Sequence, residues 1–402
     1  MHRKYKAKKL IEYKEAVQKE LIDILNYWQR YSIDNEHGGF YGEVSDDNIP
    51  NASADKGSVL NARVLWTFSR AYNYTNDECY LSVAKRAYAY IVDYFIDQQY
   101  GGVYWTVSAK GDRANEKKQV YAQAFCIYAL SEFYKATNDD EALRYAIGIF
   151  NLIEQYSFDK VRGGYYEAFS RDWKPLSDQR LSDKDQNDAK TMNTHLHIVE
   201  AYSSLYRGWK NETLKKQIRH LLDCFSQHII DTKTNHLILF FDEEWAANSS
   251  VISFGHDIEA AWILLECAES IDDNERINLM KEYAVSLTNA ALQGLDNDGG
   301  LFYEQDEKLI KEKHWWPQAE AMVGLLNAYE VSKDEKCLRQ SLNVLKFIQS
   351  KIKSPTGEWL WGIDEQDNPM QGYYKAGLWK CPYHNARACI EVAERISRIL
   401  NL

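Results

Sequence analysis

The sequence HGGFYGE (37–43) returns three times along the chain, as YGGVYWT (100–106), RGGYYEA (162–168) and DGGLFYE (298–304). The same rhythm continues in two weaker copies, TNHLILFFDE (234–243) and TGEWLWG (356–362). The successive steps are 63, 62, 72, 64 and 58 residues when they are counted from Gly38, Gly101, Gly163, Asn235, Gly299 and Gly357. The 402 residues therefore form six units, a regularity that is typical of repeat architectures.

Each unit has the same order of features: a helix-period stretch, a glycine-rich turn, a short aromatic strand, a variable loop and a second helix-period stretch. Glycine suits the turn because it adopts positive φ angles without strain. The first helices, such as KQIRHLLDCFSQHI (216–229), are amphipathic. The second helices are apolar around their whole circumference, which is typical of buried helices. They are SVLNARVLWTFSRAYNY (58–74), QVYAQAFCIYALSEFYKA (119–136), MNTHLHIVEAYSSLYRG (192–208), GHDIEAAWILLECAES (255–270), PQAEAMVGLLNAYEV (317–331) and PYHNARACIEVAERI (382–396).

Six buried helices that alternate with six amphipathic helices predict an all-α (α/α)6 barrel, with short β-hairpins in the connecting loops. An open solenoid of the tetratricopeptide type is the alternative. Its repeat is shorter than these units, and an open stack does not need six such apolar helices. Because we find no linker rich in Pro, Gly or Ser, we expect one domain over residues 1–402.

Composition excludes several functional classes. A net charge of −11 without a basic run argues against nucleic acid and anionic membranes as partners. No apolar run reaches the roughly 18 residues of a membrane helix, and the charged N-terminus lacks a signal sequence. Seven scattered cysteines indicate reduced thiols in a cytoplasmic protein. A closed ring has no unsatisfied repeat ends, so we expect a monomer.

The high content of tyrosine and tryptophan has two interpretations. With 28 Tyr and 12 Trp against 14 Phe, the aromatic residues with a polar group predominate. Such side chains suit half-wet pockets that bind the amphipathic faces of sugars. They also occur in the cores of large helical proteins, and the composition leaves both interpretations open.

Polar and aromatic residues recur near the start of the second helices. Equivalent positions of a closed ring converge on one axis, so we expect these residues to line one cavity. Pro317 and Pro382 favour the first helical turn, which places Trp316 and His384 at helix starts. The candidates from the six units are Arg63, Tyr121, Asn193, His197, His256, Glu259, Trp315, Trp316, Glu320, Trp379 and His384.

Spacing indicates which of these side chains cooperate. Asn193 and His197 are four residues apart and share one face of a helix. His256 and Glu259 are three residues apart, so we expect the carboxylate to pair with the imidazole and raise its basicity. Trp316 and Glu320 also share a face.

Structural interpretations compete with the functional ones. Each histidine taken alone fits a hydrogen-bonded core residue, and one of Trp315 and Trp316 fits core packing. His195 and His197 point about 200° apart on a helix, which disfavours a shared metal ion, and we predict no metal site.

Two kinds of chemistry fit the polar residues. Glu259 and Glu320, with Asp183, Asp185 and Asp188 of the loop RLSDKDQNDAKT (180–191), are candidates for the two carboxylates of a glycosidase. The excess of histidine argues instead for proton transfer at a carbon next to a carbonyl, near neutral pH.

Four segments of the chain resemble the N-acylglucosamine 2-epimerase superfamily, and within it the cellobiose 2-epimerases. They are MNTHLHIVEAY (192–202), GHDIEAAWILL (255–265), HWWPQAEAMVG (314–324) and WKCPYHNARACIE (379–391). The resemblance implies an (α/α)6 barrel without metal, nucleotide or other cofactor. It also implies reversible epimerisation at C2 of the reducing-end glucose of a β-1,4-linked disaccharide, a small-molecule substrate.

The resemblance also implies roles for individual residues. His256 and His384 match two acid/base histidines, one of which removes the C2 proton while the other delivers a proton to the opposite face. Glu259 matches the carboxylate beside the first of them. The remaining matches are contacts to the sugar: Arg63, Asn193, His197, Trp316, Trp379, Tyr121 and Asp185.

Three alternatives stay open at this point. An aldose–ketose isomerase would use the same barrel and the same histidines. A six-hairpin glycoside hydrolase would depend on Glu259, Glu320 or Asp185. A protein that binds sugar without turnover would need neither histidine for proton transfer.

Overall fold

A computed structural model describes residues 2–401, and the side chains of residues 6–401. Helices dominate it. In chain order they are α1 (His2–Tyr31), α2 (Ser58–Thr75), α3 (Glu78–Tyr90), α4 (Val120–Thr137), α5 (Asp140–Leu152), α6 (Met192–Gly208), α7 (Glu212–Cys224), α8 (Phe254–Ser270), α9 (Asn274–Ala291), α10 (Trp315–Ser332), α11 (Glu335–Phe347) and α12 (Tyr383–Leu400). Wider π turns follow four outer helices, at Ile91–Phe95, Ile153–Ser157, Phe225–Ile229 and Ile348–Ile352, and a 3-10 turn at Leu292–Gly294 follows α9.

The even-numbered helices form a closed inner ring. Each packs on the next, from α2 to α12, and α12 packs back on α2. The odd-numbered helices form the outer ring, where α1 packs on α12 and each of the others packs on the inner helix that precedes it. The predicted (α/α)6 barrel is therefore confirmed.

The inner helices are apolar all round because they are enclosed on every side. In α10 every residue from Trp315 to Tyr329 is buried except Trp316. In α8 every residue from Phe254 to Leu265 is buried except His256. Both exceptions lie in the first turn of their helices and are partly exposed.

Short strands connect the helices. They are β1 (Val44–Ser45), β2 (Lys56–Gly57), β3 (Thr106–Val107), β4 (Arg113–Asn115), β5 (Lys118–Gln119), β6 (Ala168–Phe169), β7 (Lys190–Thr191), β8 (Phe240–Phe241), β9 (Ile252–Ser253), β10 (Glu304–Gln305), β11 (Leu309–Ile310), β12 (Lys313–His314), β13 (Gly362–Ile363) and β14 (Tyr374–Ala376). The predicted hairpins are β3–β4 and β10–β11. The other pairs are antiparallel links between units: β2–β3, β5–β6, β7–β8, β9–β10, β12–β13 and, between the first and last units, β1–β14.

The repeated turns are tied to the inner helices by buried polar contacts. The fourth residue of four inner helices accepts a hydrogen bond from a backbone N–H just after the turn, at 2.7–2.9 Å. These acceptors are Gln123, His195, Asp257 and Gln318. His195 is therefore a structural residue, and Gly164 is required beside it because a Cβ would lie 2.8 Å from its Nε2. The glycine-free copy uses Asn235, whose φ is 59°.

A lysine two or three residues before most inner helices pairs with an acidic residue of the turn. The pairs, with N–O distances of 2.7–3.0 Å, are Lys56–Asp34, Lys118–Asp97, Lys190–Asp159, Lys313–Asp296 and Lys380–Glu358. These contacts fix where each inner helix begins. Between residues 2 and 401, no helix is both long enough and apolar enough to cross a membrane.

Candidate active site

Side chains from the first two turns of the inner helices meet in two layers. The upper layer uses the second or third residue of a helix: Tyr121, Asn193, His256, Trp316 and His384. The lower layer uses the fifth or sixth residue: Arg63, His197, Glu259, Glu320 and Arg387. The sequence predicts nine of these ten, because equivalent positions do converge in the closed ring.

His256 lies against the ring of Trp316, with 4.7 Å between the two centroids. Its Nδ1 is 2.7 Å from Ser253 Oγ, just before the helix. The predicted pairing of the His256 imidazole with the Glu259 carboxylate is wrong. Glu259 instead accepts a 2.8 Å hydrogen bond from Arg387 Nη2, because a buried carboxylate gains more from a guanidinium than from a neutral imidazole.

His384 also lies near the ring of Trp316, with 5.8 Å between centroids. Its Nδ1 is 2.7 Å from Glu320 Oε1. Within residues 6–401, Nε2 of His256 and Nε2 of His384 make no hydrogen bond to the protein. Two imidazoles therefore lie near one indole, and each is held through Nδ1.

Both histidines are neutral at neutral pH. Burial lowers the pKa of His256 to about 3; the nearby His197 adds to the effect, and Glu320 opposes it. Burial also lowers the pKa of His384 to about 3, although the hydrogen bond to Glu320 acts in the opposite direction. A neutral imidazole with a free nitrogen is able to accept a proton from a substrate.

Arg387 donates hydrogen bonds to three buried carboxyl groups. Its Nη2 donates to Glu259 Oε1 at 2.8 Å and to Glu320 Oε1 at 2.7 Å. Its Nη1 donates to Glu200 Oε1 and to the hydroxyl of Tyr383. Arg387, Glu200 and Tyr383 were not among the predicted residues, although Arg387 and Glu200 each lie three residues after a predicted histidine, on the same helix face.

The carboxylates differ in ionisation. Burial opposes the charge on Glu320, but Arg387 and His384 outweigh it and lower its pKa to about 2. Burial raises the pKa of Glu259 to about 8, and the charge of Glu320 adds to that effect. Glu320 is therefore an ion, and Glu259 is the carboxyl group in this cluster that holds a proton near neutral pH.

A second group of polar residues lies on the other wall. Arg63 Nη2 donates to the hydroxyl of Tyr121 at 2.8 Å. His197 Nδ1 is 3.0 Å from Glu200 Oε2. In the described part of the chain, Arg63 Nε and Asn193 Oδ1 are buried without a hydrogen-bond partner. Unpaired buried polar atoms are costly, and a polar ligand bound beside these two residues would supply the missing partners.

Aromatic side chains complete the walls. Trp379 lies beside Trp105 and Tyr121, with centroids 5.8 and 6.1 Å apart. Trp315 is buried instead against Trp361, at 4.7 Å, with Lys380 Nζ over its ring. Of the tryptophan pair, Trp316 contacts the histidines and Trp315 packs in the core behind it.

Asp185 lies in the loop that follows β6. Its Oδ2 accepts hydrogen bonds from the backbone N–H and the hydroxyl of Ser182, at 2.8 and 2.9 Å. Burial raises the pKa of its carboxyl group. Among the described residues, its hydrogen bonds are to Ser182, and the structure does not join it to the two layers.

One atom each of Glu259, Glu320 and His384 lies within 4.8 Å of the others, a spacing that would suit a metal ion. Arg387 Nη2 already binds the same two Oε1 atoms. The guanidinium therefore occupies the place that a cation would take. That the protein needs no metal stays a prediction.

Known proteins are similar to this chain over nearly its whole length. Residues 38–388 match the N-acylglucosamine 2-epimerase (GlcNAc 2-epimerase) family. The cellobiose 2-epimerase of Bacteroides fragilis is 44% identical, over 94% of this chain and 98% of its own. That of Dictyoglomus turgidum is 39% identical, over 93% and 96%. The solved structure of cellobiose 2-epimerase from Spirochaeta thermophila has a TM-score of 0.92 at 38% identity and covers 98% of both chains.

Proposed function

The chain belongs to the N-acylglucosamine 2-epimerase family, and we propose that it inverts C2 of the reducing-end glucose of β-1,4-linked disaccharides. The protein is an isomerase, a sugar 2-epimerase similar to cellobiose 2-epimerases. It converts cellobiose to glucosyl-mannose and lactose to epilactose. The observation that carries the mechanism is the pair of neutral imidazoles, His256 and His384, that both lie near Trp316 with Nε2 unpaired in the described chain.

Proton transfer at C2 needs an open sugar. The aldehyde at C1 makes the C2–H acidic, and one imidazole Nε2 takes this proton to give an enediolate. The other histidine first takes a proton from solvent at Nε2, then delivers it to the opposite face of C2 and so inverts the carbon. One ring gains a proton while the other loses one, so solvent hydrogen enters the product.

The enediolate oxygen requires positive or hydrogen-bonding partners. Arg63, His197 and Asn193 form one wall of the site, and Arg63 keeps its charge at all physiological pH values. The unpaired Nε of Arg63 and Oδ1 of Asn193 support a direct contact to the sugar. We assign these three residues to the reacting sugar, with Tyr121 holding the guanidinium of Arg63.

Two aromatic rings suit two sugar units. Trp316 lies at the histidines and is assigned to the reacting ring, whereas Trp379 is assigned to the second ring. A contact between Asp185 and a hydroxyl group of the disaccharide stays a prediction of the resemblance, because its side-chain hydrogen bonds in the described chain are to Ser182. Glu259 and Glu320 support the site indirectly, through Arg387 and His384. Trp315 supports it by packing in the core.

The geometry disfavours glycoside hydrolysis. The two carboxyl groups of an inverting glycosidase stand about 6.5–9.5 Å apart, on either side of the scissile bond. Glu259 and Glu320 both bind one nitrogen of Arg387, so they face the same cation rather than a substrate. Aldose–ketose isomerisation uses the same histidines and is distinguished by its product.

The decisive experiment is proton NMR of the purified protein with cellobiose in D2O, with EDTA and without nucleotide. We expect a mannose-type anomeric signal and deuterium at C2. Free glucose would show a glycosidase, and a ketose would show an isomerase. No change with cellobiose, lactose or mannobiose would overturn the assignment to disaccharides.

We also propose that the ring acts as one catalytic domain over residues 1–402, as a monomer in the cytoplasm. The contact between α12 and α2, which closes the ring, supports the first two points. The seven cysteines, all unpaired in the described chain, support a reducing compartment.

A further inference from the structure

Arg387 has an unusual set of partners. Its guanidinium, 1% exposed, binds carboxylates from three inner helices: Glu200 of α6, Glu259 of α8 and Glu320 of α10. A buried carboxylate ion without a counter-charge is strongly unfavourable. The single guanidinium therefore decides how many of these three groups stay ionised.

Two of the three carboxylates are the partners of site histidines. Glu320 Oε1 is 2.7 Å from His384 Nδ1, and Glu200 Oε2 is 3.0 Å from His197 Nδ1. An ionised carboxylate only accepts hydrogen bonds, so each Nδ1 must carry a hydrogen. In a neutral imidazole this leaves the lone pair on Nε2, the nitrogen that is free to meet a substrate.

A protonated Glu320 would reverse this arrangement. Its O–H would donate to Nδ1, and the hydrogen of the neutral ring would move to Nε2. His384 could then no longer take a proton from C2 at Nε2. The tautomer of His384 therefore depends on whether Glu320 is ionised, and that depends on its cation.

We infer that Arg387 is a positioning residue that holds Glu320 and Glu200 as ions, and so keeps His384 and His197 in the Nδ1–H tautomer. This inference rests on the proposed function, because it gives the tautomer a catalytic purpose. Arg387 acts through the carboxylates and is itself behind the histidines. Removal of the Arg387 guanidinium should therefore change the tautomer of the His384 ring, to which it makes no hydrogen bond.

The charged and titratable groups around Arg387 are consistent with this role. Arg387 lowers the pKa values of Glu320 and Glu200 below their usual range, overcoming the effect of burial on each. Glu259, raised to about 8, takes up the remaining proton. The other groups that face the cluster are Tyr383, His384 and Glu391 of α12, Arg63 of α2, Tyr121 and Tyr128 of α4, His197 of α6, and His256 and Cys267 of α8.

The same helix supplies a matched control. Arg395 lies two turns further along α12, about 12 Å away at 1.5 Å per residue. It is also buried, and it donates to Glu266 at 2.9 Å and to Glu330 at 2.7 Å. In the described chain it contacts neither a site histidine nor a carboxylate that binds one.

The test compares Arg387→Met, Arg387→Lys and Arg395→Met in the full chain. Long-range 1H–15N spectra of protein labelled with 15N-histidine report each tautomer, and His384→Asn identifies the His384 signals. We expect the Nδ1–H form in the wild type and the Nε2–H form in Arg387→Met. We also expect kcat for cellobiose to fall about 10²-fold or more with KM within threefold, the size of a lost general base.

The acid limb of the pH–rate profile should move to higher pH in Arg387→Met, because Arg387 lowers the pKa values of both Glu320 and His384. Arg387→Lys keeps the charge but cannot bridge both carboxylates. We expect it to fold and to show a mixed tautomer at His384 or His197. Arg395→Met should lower the melting temperature without changing tautomer or kcat.

Three results would overturn the inference. One is Arg387→Met with the wild-type tautomer and a kcat within threefold of wild type. Another is the same tautomer change in Arg395→Met. If Arg387→Met does not fold, Arg387→Lys with wild-type tautomers at both rings and full kcat decides against it. The spectra need no substrate, so absence of epimerisation in the wild type would contradict the proposed function alone.

Discussion

Glu320 Oε1 lies 2.7 Å from His384 Nδ1, whereas among the described residues the hydrogen-bond partner of His256 Nδ1 is the hydroxyl of Ser253, at the same distance. The two imidazoles near Trp316 therefore differ in the charge of the group that holds Nδ1. An ion behind His384 stabilises its protonated form, and a hydroxyl group gives His256 much less. The difference leads to a prediction about the pH dependence of the reaction.

Glu320→Gln should reduce kcat about 10²-fold and move the acid limb of the pH–rate profile to lower pH. The sign follows because Glu320 raises the pKa of His384 against the effect of burial, so its neutralisation lowers that pKa further. A pH series of kcat for cellobiose checks both effects. Ser253→Ala serves as the control and should leave the acid limb unchanged; an upward shift in Glu320→Gln would contradict the model.

The two histidines should show complementary exchange when one is removed. In His256→Ala and in His384→Ala, the remaining ring still reaches one face of C2. It can take a proton from one epimer and return deuterium to the same face, without inversion. We expect one variant to label only the glucose form and the other only the mannose form, measured by NMR in D2O with each epimer separately.

Equal exchange of both epimers in either variant would show that one base serves both faces. Full epimerisation by either variant would remove that histidine from the mechanism. His195→Gln is the control, since His195 accepts a backbone hydrogen bond at the glycine turn and lies outside the two layers. It should epimerise at nearly the wild-type rate if the protein folds.

The sequence predicted the ring and most of the site because both follow from the repeat. Apolar second helices indicate an inner ring, and equivalent positions then converge. The turn around Asn235 shows how far the rhythm extends, because this residue takes the positive φ that glycine takes in the other units.

The sequence was a poorer guide to which buried side chains pair with one another. Glu259 is correctly spaced to meet His256, but Arg387 reaches it from another helix and takes the carboxylate. Glu200 lies in an apolar helix where a single acidic residue gives no signal by itself. Such contacts depend on how α6, α8, α10 and α12 face one another, and helical spacing reports only on neighbours within one helix.

Buried neutral histidines should also make the fold sensitive to acid. His256 has a pKa of about 3 in the folded protein against 6.5 for an unperturbed histidine. Its stabilising contribution is therefore present above about pH 6.5 and is lost as the pH falls toward 3, because the unfolded chain then binds a proton that the folded chain does not.

His256→Asn should remove up to one proton from the difference in proton binding between the unfolded and the folded chain. Between pH 4 and pH 6, the free energy of unfolding should fall less steeply than in the wild type, by up to about 1.4 kcal/mol per pH unit. Urea unfolding at several pH values measures the slope. An unchanged slope would show that His256 is already protonated in the folded protein.

Substitutions of the three tryptophans near the site should separate effects on substrate binding and turnover from effects on protein stability. Trp379→Ala should raise KM for cellobiose about tenfold, because a stacking platform of this kind is worth about 1–1.5 kcal/mol. Its effect on kcat should be small, since Trp379 contacts Trp105 and Tyr121 rather than the two imidazoles. Trp316→Ala should lower kcat as well, because the indole packs against both His256 and His384.

Trp315→Ala provides the contrast within the same tryptophan pair. Its ring is 3% exposed and packs on Trp361, so truncation should cost about 3–5 kcal/mol of stability. The fraction that stays folded should keep a KM for cellobiose within twofold of wild type. Thermal unfolding and steady-state kinetics on the three variants measure both quantities. A large rise in KM for Trp315→Ala, with little loss of stability, would place Trp315 at the sugar and Trp316 behind it.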